Sequence, residues 1–336
     1  MNVNLWIKEV IEGRERLAIP IMTHPGIEDI GASVKQAVCD GTIHFEAIKA
    51  VNNAYSPAAT TVIMDLTVEA EAFGAEIVFP EDEIPSVVGR LLQDEEDIDK
   101  LEIPDINSGR IPEYLKANKL VAGLINDKPT FAGCIGPFSL AGRLFDMSEM
   151  MMLCYSEPEV AKKLLQKCTD FLLNYCTELK KTGADGVVMA EPAAGLLSNE
   201  GCEEFSSEYI KQIVDKLQDD NFLIILHNCG NTGHCTQAML ATGANAYHFG
   251  NKINMVEALN ECPADVLAMG NIDPVSIFKQ ATPDGVRNAV NTLLNDTMGF
   301  KNFILSSGCD TPPHVQKENI IAFYETVREF NNALNG

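Results

Sequence analysis

One pattern repeats along the chain: a short β-rich apolar run, a polar or Gly/Pro turn, then an amphipathic helix. Eight runs fit it: residues 18–23, 60–65, 130–134, 186–190, 222–227, 246–249, 266–270 and 303–307. They are apolar throughout rather than alternating. Each therefore needs cover on both faces, the signature of a parallel sheet sheathed in helices. Helical stretches follow at 45–53, 157–182, 200–218, 232–241, 255–262, 283–295 and 314–332. Eight such units predict an α/β fold closed into a (β/α)8 TIM barrel, which typically takes about 250 residues. The chain has 336. The excess falls at an N-terminal helix over 2–16 and at an acidic, Pro-rich insertion after strand 2, residues 74–128, with small extra strands at 75–79 and 86–88. No composition break asks for a second domain, so residues 1–336 are expected as one barrel domain. An open doubly wound sheet is the alternative, and it lacks a G-x-G-x-x-G after the first strand.

Composition narrows the function. At 46% hydrophobic the chain can bury a large core. Its formal charge of −23 excludes nucleic acid and anionic membrane as partners, since both need a basic footprint. Ten cysteines are scattered without the spacing of a disulfide scaffold. The N-terminus lacks a signal-peptide core, and no apolar run approaches the roughly 20 residues of a membrane span. A cytoplasmic protein is expected, with thiols free to act as ligands.

In a barrel, catalytic residues gather at the C-terminal ends of the strands. Those ends hold His24, Asp65, Cys134, Glu191, His227 with Cys229, His248, Asn271 with Asp273, and Cys309. His227, Cys229 and Cys309 form a soft three-point donor set. Zinc is the natural ion for it, with a fourth position open to substrate. The plain alternatives are a core histidine and inert thiols. His234 and Cys235 repeat the residue types but fall in the following helix. Glu191 reads as a fourth ligand, an acid behind the ligands, or a loop acid. His248 and Asn271 read as substrate contacts, His248 equally as a donor behind the metal or a structural residue. Arg143 reads as a holder of an anionic substrate group or as a helix cap. The run 147–152 reads as helix packing or an adaptable partner surface, and 94–99 as a solvated helix face.

Three longer motifs carry a resemblance. Met64-Asp65-Leu66-Thr67-Val68-Glu69-Ala70-Glu71-Ala72-Phe73-Gly74-Ala75, Gly133-Cys134-Ile135-Gly136-Pro137-Phe138-Ser139-Leu140-Ala141-Gly142 and Gly308-Cys309-Asp310-Thr311-Pro312-Pro313 resemble the uroporphyrinogen decarboxylase superfamily. Within it, His227-x-Cys229 and Cys309 look most like the zinc ligands of the methylcobamide:coenzyme M methyltransferases. That resemblance implies methyl transfer from a methylcorrinoid, carried on a separate corrinoid protein, to a small thiol activated by Zn2+. Asp65 matches the catalytic aspartate of the decarboxylases. Their Arg-rich segment after the first strand is here Ile21-Met22-Thr23-His24-Pro25-Gly26-Ile27-Glu28-Asp29, with no arginine and two acids. Two other readings stay open: tetrapyrrole decarboxylation through Asp65, and a non-enzymatic corrinoid- or metal-binding module. Asp65 is expected to matter for catalysis or for orienting the metal shell, and little for stability.

Overall fold

Nine strands form in chain order: β1 (Thr60–Thr61), β2 (Ile77–Val78), β3 (Ser86–Val87), β4 (Thr130–Ile135), β5 (Gly186–Ala190), β6 (Leu223–Asn228), β7 (Ala246–Phe249), β8 (Leu267–Ile272) and β9 (Phe303–Ser307). The computed structural model describes residues 1–336. Seven of the strands make one parallel sheet in the order β1-β4-β5-β6-β7-β8-β9. β2 and β3 pair antiparallel as a separate hairpin, where the sequence predicts extra strands. No helix is long and apolar enough to cross a membrane.

The first predicted strand survives only as a bridge from Ala18 to Leu305. It still closes the ring. Ile19 N–H donates to the Leu305 carbonyl (2.9 Å), Leu305 N–H to Leu17 (3.0 Å), and Ala58 N–H to Ala18 (3.1 Å). The run 60–65 is likewise ladder-bonded only at its start. Beyond it, side chains replace the ladder: Ile63 N–H donates to His44 Nε2 (3.1 Å) and Met64 N–H to Asp310 Oδ2 (3.2 Å). The other six runs form within two residues of their predicted bounds.

The predicted insertion is not all irregular. It holds the helix Ile111–Leu124, which packs against the helix Gly41–Tyr55 as part of the barrel wall. The predicted helix 200–218 is split by a π-helical turn at Glu203–Ser207. The predicted helix 232–241 shrinks to Thr236–Leu240, because Asn231 ties up the loop before it. Its Oδ1 accepts from Gly233 N–H (2.9 Å) and Cys235 N–H (3.0 Å).

Alternation along each strand sorts the core into two parts. Ile19, Phe131, Val188, Ile225, Met269 and Ile304 point into the barrel. Val3 and Ile7 of the N-terminal helix Val3–Glu12 join them from below, so that helix plugs the floor. The outward residues, such as Ile224, Leu226 and Leu305, meet the helices. The same parity puts His227, His248, Asn271 and Ser306 on the inner face at the upper rim. His227 and His248 are register partners on β6 and β7, as are Asn271 and Ser306 on β8 and β9.

Candidate metal centre

His227 is the penultimate residue of β6, Cys229 lies one residue past that strand, and Cys309 lies two residues past β9, on the loops after β6 and β9. Glycines let these loops touch. A Cβ on Gly250 would sit 2.6 Å from Cys229 Cα, and one on Gly308 would sit 2.5 Å from the Asn251 nitrogen. The result brings one ligand atom each of His227, Cys229 and Cys309 within 4.8 Å of one another. His227 is buried, and its Nε2 has no hydrogen-bond partner. A buried lone pair beside two thiols, with no polar partner to satisfy it, suits a soft cation. The donor set is the one tetrahedral zinc takes.

The two sulfurs interact. Hydrogen bonding from Cys309 lowers the Cys229 thiol, with help from Lys252, whereas the same bond and burial raise Cys309. The pair thus gives up one proton readily and the second reluctantly, as coupled thiols do. Nearby, His24 Nδ1 lies 3.8 Å from Asp310 Oδ1. Burial pulls the His24 imidazole down, but the nearby Asp310 carboxylate wins and raises it.

The other predicted site residues do different work. Glu191 is buried with both oxygens occupied: Oε1 accepts from Phe138 N–H (2.7 Å) and the Ser206 hydroxyl (3.0 Å), Oε2 from Ser139 N–H (2.9 Å). It caps the helix Pro137–Phe145, whose own N-cap, Gly136, has no side chain. The expected fourth-ligand role is therefore corrected: Glu191 stands outside the donor cluster. Burial raises its carboxyl against those bonds.

Asp65 is equally committed. Oδ1 takes Thr67 N–H (3.0 Å) and the Thr67 hydroxyl (2.7 Å), while Oδ2 takes Arg110 Nη1 (2.5 Å) and the Tyr114 hydroxyl (3.1 Å). Arg110 is braced further by Glu71 Oε2 at 2.6 Å. This buried network ties the insertion to the barrel and leaves the carboxylate no face for substrate. Asp65 thus has a structural tie that the sequence reading did not give it.

Of the readings open for His248, the geometry favours a residue behind His227: its Nδ1 lies 2.7 Å from His227 Nδ1 and its Nε2 2.7 Å from Ser306 Oγ. Asn271 is also a brace: its Nδ2 donates to the Gly250 (3.0 Å) and Ile253 (2.8 Å) carbonyls, fixing the loop on which Cys229 packs. Arg143 lines open space. It borders a cavity of about 460 Å³ with Leu66, Ser139, Met147, Pro192 and Leu196. Burial lowers its guanidinium, and Asp65 and Glu69 act on it through their charge alone.

Sequence reading missed Arg110, Lys252 and Ser306. Ser306 was recoverable from strand parity. Arg110 lies 45 residues from Asp65 in a segment read as irregular, and nothing local marks it.

The uroporphyrinogen decarboxylase (URO-D) family profile matches residues 18–330. A methylcobamide:CoM methyltransferase from Methanosarcina mazei is 30% identical over 276 residues, covering 81% of this chain and 80% of that one. A uroporphyrinogen decarboxylase from Alcanivorax borkumensis is 29% identical over 284 residues, with 81% and 79% covered. Among solved structures, a methyltransferase from Methanosarcina mazei superposes with a TM-score of 0.87 at 21% identity, covering 98% of each chain. A B12-independent methionine synthase from Shewanella gives a TM-score of 0.57 at 14% identity, covering 87% and 89%. The chain thus belongs to the uroporphyrinogen decarboxylase family, and its relatives there include methylcobamide:CoM methyltransferases.

Proposed function

We propose that the chain is a cytoplasmic methyltransferase that moves a methyl group from a methylcorrinoid, held on a partner corrinoid protein, to a small thiol of the coenzyme M kind. The observation that carries this reading is the unpartnered His227 Nε2 facing the sulfurs of Cys229 and Cys309. Relatives named for that reaction support it.

His227, Cys229 and Cys309 would hold Zn2+, and the ion would act as a Lewis acid that lowers the pKa of an entering thiol. Two cysteinates and a neutral imidazole offset the ion's charge, which leaves the acceptor sulfur nucleophilic. Asn271 and the close-packed glycine loops keep the ligand loops in place. Arg143, which borders the cavity of about 460 Å³, would hold an anionic group of the acceptor. Asp65 and Glu191 act by holding the insertion and the helix Pro137–Phe145, with no contact to the reacting atoms.

The decarboxylase reading is weaker on two counts. Asp65 has no lone pair turned to the mouth. The segment around His24 offers no guanidinium for a polycarboxylate.

The test is methylcobalamin demethylation by a panel of thiols, with zinc-loaded and zinc-stripped protein, beside uroporphyrinogen as a control. Thiol-dependent demethylation that follows zinc content is expected. Replacing Cys309 with Ala should remove most of the metal from a folded barrel, as read by elemental analysis and circular dichroism. Full zinc content in that variant, or porphyrinogen decarboxylation in its wild-type parent, would overturn the assignment. Binding of metal and thiol without any turnover would favour the non-enzymatic module.

A further inference from the structure

Behind the ligand His227 runs a line of hydrogen bonds that ends on a backbone carbonyl at each end. Ser306 Oγ lies 2.7 Å from the Ile19 carbonyl and donates to it, since a carbonyl can only accept. The hydroxyl proton is committed there. The 2.7 Å contact between Ser306 Oγ and His248 Nε2 must therefore use the imidazole's proton. At the other end, His227 Nδ1 lies 3.2 Å from the His248 carbonyl and 2.7 Å from His248 Nδ1. The carbonyl again only accepts, so His227 carries its proton on Nδ1. A short nitrogen–nitrogen contact holds one proton, so His248 Nδ1 is the lone pair that receives it.

The two assignments start from opposite ends and agree in the middle. Both rings are neutral, with His248 protonated on Nε2 and His227 on Nδ1. Burial agrees with this. His248 and Ser306 are 1% and 0% exposed, and the partners of His248 are an imidazole and a hydroxyl. A second proton on this line would be a buried charge without a counter-ion. What is left over is His227 Nε2, bare, buried and facing two sulfurs.

We infer that His248 is the positioning residue of the metal centre: with Ser306 and the Ile19 carbonyl it locks His227 in the Nδ1–H tautomer and aims Nε2 at a soft divalent cation. This rests on reading His227, Cys229 and Cys309 as ligands. Metal-bound histidines commonly donate their second N–H to a carboxylate, carbonyl or water, which orients the ring and raises its basicity. Here the outer partner is a neutral imidazole backed by a hydroxyl. A carboxylate in that place would push charge towards the ion. The neutral line fixes the ring without doing so, and with two sulfur ligands already present the cation keeps more of its Lewis acidity.

Two measurements test the inference, and neither needs turnover. In metal-free protein labelled with 15N-histidine, His227 is expected to show a protonated Nδ1 and an unprotonated Nε2. A His227 protonated on Nε2 overturns the proposal. Zinc affinity, by competition with a chromophoric chelator, is expected to fall about 10- to 100-fold in His248→Leu. Only the carbonyl of residue 248 then remains to take the His227 proton. His248→Asn should recover most of that loss, because its Oδ1 can stand in for the imidazole Nδ1 as acceptor. A folded Leu variant with wild-type zinc affinity overturns the proposal, and so does a folded Asn variant as weak as Leu. If the Leu variant does not fold, the tautomer and the Asn variant decide. A wild-type chain with the expected tautomer that holds no zinc would sink the metal reading of the site while leaving the tautomer lock standing.

Discussion

Asp65 accepts four hydrogen bonds, and its side chain is wholly buried against Arg110. Removing its charge leaves that guanidinium buried with Glu71 as its remaining carboxylate. Breaking a buried pair from one side costs about 3–5 kcal/mol. Asp65→Asn is therefore expected to lower the free energy of unfolding by about 3 kcal/mol, measured in urea. A change under about 0.5 kcal/mol would show the network to be idle. The cysteine pair gives a second expectation at this scale. Cys309, raised by its bond to Cys229 and by burial, keeps its proton at neutral pH until a cation displaces it. Zinc affinity should thus rise with pH, with at least one proton released per ion, as read by titration in two buffers of different ionisation enthalpy. An affinity flat between pH 6 and 8 would contradict the coupling. The clustering of His227, Cys229 and Cys309 was legible in the sequence, because soft donors at strand ends are a local signal. The partners of Asp65 and Glu191 were not, because each is set by contacts that only folding brings close.

Glu69 belongs to the short helix Val68–Ala72 and is buried, with Oε1 accepting from Ile135 N–H (3.0 Å) and Oε2 unpartnered. Burial raises its carboxyl to about 7, against the pull of that bond. In the unfolded chain a glutamate titrates near about 4.3. Between those values the native state holds a proton that the unfolded state does not. Stability from this group is complete below the unfolded value and is lost as pH rises through the folded one. Glu69→Gln should match wild type near pH 4 and melt about 3 °C higher at pH 8. A gain confined to acid pH would invert the argument. Gly136 sets a second expectation for an element. A Cβ there would lie 2.4 Å from Glu191 Oε2, so Gly136→Ala should push Glu191 off the N-terminus of Pro137–Phe145. A loss of about 1–3 kcal/mol is expected, read by thermal unfolding. Parallel strands from β4 onward were legible because their runs are continuously apolar. The first two were overestimated. In the second, ladder partners are replaced by His44 and Asp310, which no local pattern announces.

At the scale of the whole molecule, eight strand–helix units follow from apolar patterning, whereas the N-terminal helix, expected outside the barrel, plugs its floor. The small number of bonds that close the ring does not follow from that patterning. Closure depends on Ala18 and its neighbours, with two backbone bonds to Leu305 on one side and one from Ala58 on the other. The Ser306 hydroxyl adds a side-chain stitch to Ile19 at the same place. The barrel therefore has a seam, and one end of that stitch leads through His248 to the metal ligand. Opening the seam and loosening His227 are then parts of one fluctuation. Amides at the seam should be among the fastest-exchanging in the sheet. Zinc, held in part by Cys309 just past β9, should slow exchange at Ile19 and Leu305 while leaving Ile224, in the unbroken middle of the sheet, unchanged. An ion held there would serve the chain as a clasp: without it the protein would still be a barrel, but one that breathes along a single line.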